Sequence, residues 1–166
     1  MRRKMFGMPF FSRKSLNNHR PHWVDENDPL FVTICHKARG GRQFDNPEAW
    51  SALIASAERL RQNGKWTPIL MLAMPDHLHG IVRIPRGITS VLGEFKRDYS
   101  YRVNILWQKG SFDHRLRTYG HYLEKRDYIL ANPVRAGFVM SGEQWPYVKW
   151  WDVQGFPRPD ILGEAS

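Results

Sequence analysis

The chain has 166 residues, which is enough for one domain with a buried core but short for two. Hydrophobic residues make up 42% and aromatic residues 13%, so the composition excludes a wholly disordered chain. Basic residues outnumber acidic ones 25 to 16, and the net charge of +9 favours a polyanionic partner, nucleic acid before an anionic membrane surface. A membrane span is not expected, because no apolar run reaches the roughly 18 residues that it needs.

The termini and the cysteine content predict the organisation of the chain. Residues 1–20 carry six basic and no acidic residues and lack the apolar centre of a signal peptide. We therefore predict a flexible basic arm over residues 1–24, a single domain over 25–150 and a C-terminal tail over 151–166. Cys35 is the single cysteine, which permits no intrachain disulfide and suits a reducing bacterial cytoplasm.

The first predicted elements are a strand and a helix. Residues 30–36 (LFVTICH) are β-branched and aromatic, which is typical of a strand. Asn46 is a candidate N-cap, and Pro47 suits the first position of a helix that ends before Asn63 and Gly64. Apolar residues recur through this stretch at helical spacing, so the helix is the clearest element of the sequence.

A hairpin and two further helices follow. Residues 66–73 and 77–84 are predicted strands joined by Pro75 and Asp76. A helix is expected over residues 89–104, and an extended segment, broken at Lys109 and Gly110, over 105–116. The last helix is expected over residues 119–131, stopped by Asn132 and Pro133.

The order of these elements predicts the fold class. Strand, helix, strand, strand, helix, strand is the pattern of an α+β, ferredoxin-like βαββαβ antiparallel sheet. The last predicted helix is an addition at the C-terminal side, and it carries Tyr128.

His77 and His79 form a candidate metal site. Because side chains alternate along a strand, both imidazoles project from the same face, and Leu78 points to the other. Imidazole ligands favour Mn, Co, Ni or Zn, whereas Mg prefers oxygen. Taken alone, a His-x-His pair more often has a structural or solvent-facing role.

Tyr128 and Asn132 form a second candidate group. Residues four apart on a helix project from one face, one turn from each other. A tyrosine and an amide at this spacing can meet the same ligand. Taken singly, a helical tyrosine is usually a core aromatic, and an asparagine before proline is usually a helix stop.

Three ordered motifs carry a resemblance to a known family. They are MPDHLHGIV at residues 74–82, SFDHRLR at 111–117 and YILANPVRAGFV at 128–139. Together they resemble the signature of the REP-associated tyrosine transposases, where REP denotes repetitive extragenic palindromes. This group lies within the single-tyrosine transposases that bear a histidine-hydrophobic-histidine (HUH) motif.

The resemblance implies an activity and its residues. His77, His79 and Asn132 would hold a divalent ion, Mg²⁺ or Mn²⁺, and Tyr128 would be the nucleophile. The implied enzyme is an HUH-type tyrosine transposase and DNA nuclease that cuts and rejoins single-stranded or hairpin DNA through a 5′-phosphotyrosine. Such a protein would be cytoplasmic and associated with the nucleoid, and this group favours a monomer although related transposases act as dimers.

Basic residues interleaved with aromatic ones provide candidate DNA contacts. They are Lys96, Arg97, Arg102, Arg115, Arg117 and Arg135. Solvated surface positions are the alternative for each of them. Two other functions also fit the sequence: a DNA- or RNA-binding regulator that has lost catalysis, and a metallohydrolase that uses water as its nucleophile.

Overall fold

The computed structural model describes residues 28–38 and 40–159. The predicted basic arm and the last seven residues of the predicted tail lie outside this part of the chain. The elements in chain order are β1 (Leu30–Cys35), α1 (Pro47–Gln62), β2 (Thr67–Met74), β3 (His77–Arg83), α2 (Ile88–Arg102), β4 (Phe112–Arg115), α3 (Tyr119–Arg135) and β5 (Val148–Trp150).

The strands form one five-stranded sheet in the order β4-β1-β3-β2-β5, and every neighbouring pair is antiparallel. The predicted α+β fold, with βαββαβ order and an added helix that carries Tyr128, is therefore confirmed. The central strand β3 pairs with β1 on one side and with β2 on the other. In this register Thr33 lies opposite His79, and Cys35 lies opposite His77.

The sheet separates two layers of helices. Helices α1 and α2 pack against each other and share a hydrophobic cluster with Val32, Leu78 and Val82 of the sheet. Helix α3 packs on the opposite face, where Tyr122 and Ile129 join a second cluster with Phe31, Leu70, Leu72 and Ile81. The alternation along β3 thus directs the two histidines to one face, as predicted, and this face is the one that carries α3.

Helix α1 begins as the sequence indicated. The Asn46 side chain accepts a hydrogen bond from the backbone nitrogen of Ala49 at 2.9 Å, and Pro47 occupies the first turn. An N-cap of this kind satisfies one of the amide groups that have no partner inside the helix. The helix buries Leu53, Ala57 and Leu60 against the sheet.

Helix α3 does not stop where it was predicted to stop. It continues through Pro133 to Arg135, so the predicted end at Asn132 and Pro133 is wrong. A proline inside a helix removes one backbone donor and crowds the carbonyl four residues earlier, and here the Pro133 side chain is buried. The helix ends instead before Gly137, whose φ of 77° is the left-handed conformation that commonly terminates helices.

The segment after α3 adds a strand that the sequence pattern did not predict. Strand β5 pairs with β2, and the indole nitrogen of Trp145 donates to the backbone oxygen of Ala73 at 2.8 Å. The tryptophans near the C-terminus therefore pack over the sheet. Among the described residues, none of the helices combines the length and the apolar character that crossing a bilayer requires.

Candidate active site

The side chains of His77 and His79 lie next to each other on the α3 face of β3. Their Nε2 atoms are 3.1 Å apart, and the ring centroids are 4.7 Å apart. The imidazole of His79 is buried, and it stacks on the ring of Phe31 with centroids 5.5 Å apart. A strand fixes both backbones, so the spacing of the two rings is set by the pleat of the sheet.

The other ring nitrogen of each histidine contacts a neighbouring side chain. Nδ1 of His77 is 2.7 Å from Oδ1 of Asp76, and Nδ1 of His79 is 3.0 Å from Oγ1 of Thr33. When Nδ1 of His77 donates to the carboxylate, its Nε2 carries the lone pair. The second oxygen of Asp76 accepts from the backbone nitrogen of Gly40 at 2.8 Å, so the carboxylate is itself held in place.

These contacts fit a cation held by the two Nε2 atoms. Two nitrogen donors at octahedral or tetrahedral angles on one ion lie roughly 3.0–3.4 Å apart, given metal–nitrogen bonds of about 2.1 Å. The observed separation of 3.1 Å is within this range. Histidine ligands usually donate their second ring nitrogen to a carboxylate or a similar oxygen, and the Nδ1 atoms of both residues lie within hydrogen-bond distance of such an oxygen.

The two imidazoles alone do not complete the coordination of such a cation. In the part of the chain that the structure describes, no group of three or more His, Cys, Asp and Glu residues is suited to a metal. Asn132 is the candidate for a third donor. Its Nδ2 donates to the backbone oxygen of Tyr128 at 2.9 Å, which leaves the amide oxygen as the atom that would bind.

Tyr128 of α3 lies over the same region of the sheet. Its ring centroid is 5.7 Å from that of His79 and 5.9 Å from that of Phe31, both with edge-to-face geometry. The side chain is half-buried. The structure therefore brings His77, His79 and Tyr128 into one site within a single chain, with Asn132 one helical turn beyond the tyrosine.

Two cations flank the tyrosine ring. Nζ of Lys125 is 5.7 Å from the ring centroid, and the guanidinium carbon of Arg135 is 5.5 Å from it. Lys125 was not among the residues that the sequence singled out, although its position one turn before Tyr128 is a signal that helical spacing offers. Thr33 had no such signal, because its contact with His79 depends on the pairing of β1 with β3.

The other predicted DNA contacts are spread over the molecule. From the predicted set, Arg135 lies over the ring of Tyr128. Lys96, Arg97 and Arg102 belong to α2, on the opposite face of the sheet, where Lys96 donates to the backbone oxygens of Gln108 and Gly110. Arg115 and Arg117 lie at the end of β4 and in the connection to α3.

Three neighbours of Tyr128 on α3 do not join the site. Tyr122 is fully buried and packs on Phe156, and burial raises the pKa of its phenol. Tyr119 is exposed. Glu124 is also exposed and pairs with Lys125, which lowers the pKa of its carboxyl group.

Comparisons with known proteins agree with the motifs. No family model matches the chain. A REP-associated tyrosine transposase of Escherichia coli (strain K12) is 30% identical over 81 residues, which cover 46% of this chain and 49% of that protein. A putative REP-associated tyrosine transposase of Haemophilus influenzae (strain ATCC 51907 / DSM 11121 / KW20 / Rd) is 26% identical over 115 residues, with 57% and 65% covered.

A solved structure shares the fold. The structure of a REP-associated tyrosine transposase bound to a REP hairpin superposes with a TM-score of 0.66 at 22% identity, covering 80% of this chain and 82% of that one. The chain spans about half of the first curated relative and 65% of the second. Sequence and fold together confirm the resemblance to this family that the three motifs indicated.

Proposed function

We propose that this chain, which resembles the REP-associated tyrosine transposases in sequence and fold, is a metal-dependent endonuclease and strand transferase for single-stranded DNA. The substrate we propose is a hairpin or palindromic DNA with an unpaired flank. The observation that carries the proposal is the contact between the Tyr128 ring and the His79 imidazole, whose centroids are 5.7 Å apart. A nucleophile and a cation site at this spacing can act on one phosphodiester.

Tyr128 supplies the nucleophile. Its phenol oxygen attacks the scissile phosphorus, the bond from phosphorus to the 3′ oxygen breaks, and the 3′ oxygen leaves as a hydroxyl. The product is a 5′-phosphotyrosine, which keeps a phosphoester bond. Another 3′-hydroxyl can therefore reverse the step and join strands without ATP.

The residues that would hold the divalent ion are His77, His79 and Asn132. The ion, Mg²⁺ or Mn²⁺, would act as a Lewis acid on the scissile phosphate. The imidazole pair favours Mn²⁺ by softness, although Mg²⁺ is the more abundant oxygen-seeking ion. Asp76 and Thr33 orient the two rings through their Nδ1 atoms.

The charges around Tyr128 suit a nucleic acid. Arg135 is exposed and Lys125 is half-buried, and both cations lie beside the tyrosine ring. Positive groups at the nucleophile attract the phosphate backbone and lower the repulsion that a phenolate meets as it approaches phosphorus. Because Tyr128 and His79 meet within one chain, we propose that a monomer is sufficient for cleavage.

A denaturing gel tests the proposal. The protein is incubated with an end-labelled single-stranded hairpin oligonucleotide and Mn²⁺ or Mg²⁺. We expect a covalent protein–DNA adduct that disappears in Tyr128→Phe and in His77→Ala. The matched control is Tyr119→Phe, which removes an exposed hydroxyl from the same helix and should keep the adduct.

The competing functions give different results in the same assay. Cleavage without an adduct, retained in Tyr128→Phe, would identify a metallohydrolase that uses water. A shift on a native gel with neither cleavage nor adduct would identify a binding protein. Either outcome overturns the proposed mechanism.

A further inference from the structure

We infer that Phe112 and Lys125 form a nucleotide site beside Tyr128, in which an unpaired base stacks on the Phe112 ring and its phosphate contacts the Lys125 ammonium. This inference rests on the proposed function, because the nucleotide that we place in this site is one next to the cleaved bond. The site lies between β4 and α3, on the face of the sheet that carries the two histidines.

The position of Phe112 follows from the strand register. Strand β4 is at one edge of the sheet and pairs with β1, so that Phe112 lies opposite Thr33 and His114 lies opposite Phe31. Directly opposed residues in an antiparallel pair project to the same face. Phe112 therefore shares the face of His79, and its side chain is 51% exposed.

A chain of ring contacts connects Phe112 to the nucleophile. The Phe31 ring meets Phe112 edge-on at 6.1 Å and Tyr128 edge-on at 5.9 Å between centroids. Phe31 itself is buried. Phe31 therefore packs between the exposed ring of Phe112 and the ring of Tyr128 and contacts both.

Lys125 lies within this group of rings. Its Nζ is 5.9 Å from the centroid of Phe31 and 5.7 Å from that of Tyr128. An ammonium that contacts both the nucleophile and the ring on which Phe112 packs matches the alternation of base and phosphate along a single strand. Proteins that bind single strands combine basic grooves with aromatic rings that stack on bases.

The first test measures stacking directly. Oligonucleotides carry 2-aminopurine at each position flanking the cleavage site in turn, and binding is followed by fluorescence in the Tyr128→Phe background so that no strand is cut. We expect quenching at one flanking position. It should be lost in Phe112→Ala, kept in Phe112→Trp and unaffected by Tyr101→Ala, which removes an aromatic ring that is 94% exposed on α2.

The affinity of the same variants gives a second readout. Stacking on one aromatic side chain predicts binding roughly 5- to 100-fold weaker in Phe112→Ala. An abasic analogue at the quenched position should weaken wild-type binding by a similar factor and should have little further effect on Phe112→Ala. Circular dichroism spectra of the variants check that the fold is kept.

Lys125 is tested through salt dependence. Loss of one phosphate contact to a single strand reduces the slope of log K against log salt by about 0.7. We expect that change in Lys125→Gln, its recovery in Lys125→Arg, and no change in Lys65→Gln, which alters an exposed lysine beyond α1. An unchanged slope in Lys125→Gln would remove this residue from the site.

The results separate this inference from the proposed function. If the adduct forms but Phe112→Ala behaves as the wild type at every 2-aminopurine position, the nucleotide site is wrong and the enzyme stands. If neither cleavage nor an adduct is seen but the quenching depends on Phe112, the site is real and the chain is a binding protein.

Discussion

The Tyr128 ring and the His79 imidazole meet in edge-to-face geometry across the layer between α3 and β3, with centroids 5.7 Å apart. The two residues are 49 positions apart in the chain. Tyr128 is the candidate nucleophile and His79 is a candidate metal ligand.

 Their contact requires α3 to lie on the same face of the sheet as the histidine pair, which the second hydrophobic cluster ensures.

Removing either imidazole should strongly weaken metal binding. We expect His77→Ala and His79→Ala to weaken Mn²⁺ binding by more than about 100-fold, a larger loss than an outer partner of a ligand causes. Isothermal titration calorimetry of the protein without DNA measures this affinity. His121→Ala, which alters an exposed histidine of α3, is the control. Mn²⁺ affinity that survives both substitutions would mean that the imidazole pair is not the metal site.

Asp76 should affect metal affinity by orienting the imidazole of His77 and not by binding the ion itself. Asp76→Asn removes the charge that holds Nδ1 of His77, and we expect about 10- to 100-fold weaker Mn²⁺ binding. The same titration measures it, with Asp152→Asn as the control at an exposed aspartate. Wild-type affinity in Asp76→Asn would show that this hydrogen bond does not prepare the ligand.

The buried phenol of Tyr99 should make the free energy of unfolding fall at alkaline pH. Burial raises the pKa of its phenol above the ordinary value of 10.0, and its hydroxyl donates to the backbone oxygen of Ala49 at 3.1 Å. The unfolded chain therefore loses this proton at a lower pH than the folded protein does. The stabilisation is complete below about pH 10 and is lost as pH rises toward the folded pKa, by about 1.4 kcal/mol per pH unit.

Urea unfolding at pH 8 and at pH 11 tests this dependence. Tyr99→Phe should cost about 1 kcal/mol at pH 8, because the hydrogen bond to Ala49 is lost. It should also reduce the fall in stability between the two pH values. Tyr101→Phe, at an exposed position, should behave as the wild type. An equal fall in Tyr99→Phe and wild type would contradict the prediction.

The end of α3 gives a prediction about backbone conformation. Gly137 has a φ of 77°, which an alanine adopts with strain, so Gly137→Ala should reduce the free energy of unfolding by about 1 kcal/mol. Gly120, in the first turn of the same helix, has no positive φ, and Gly120→Ala should be neutral or stabilising by up to about 1 kcal/mol. Thermal unfolding of both variants measures the contrast, and equal effects would refute it.

Local sequence patterns determined much of the fold. The cap at Asn46, the alternation along residues 77–84 and the helical spacing around Tyr128 each act between residues close in the chain, so they can be read without the structure. The same patterns indicated that the two imidazoles share a face. They misplaced the end of α3, because a proline disfavours a helix locally but does not exclude it, and α3 continues through a buried Pro133.

Tertiary structure alone decided what surrounds the site. The contact of Thr33 with His79 depends on the register of β1 against β3, and the position of Phe112 depends on β4 being an edge strand. The sequence by itself determined which residues are chemically able to hold a cation or attack phosphorus. Only the packing of α3 on the sheet decided that Tyr128 meets His79, since contacts between distant segments are set by how whole elements bury their apolar faces.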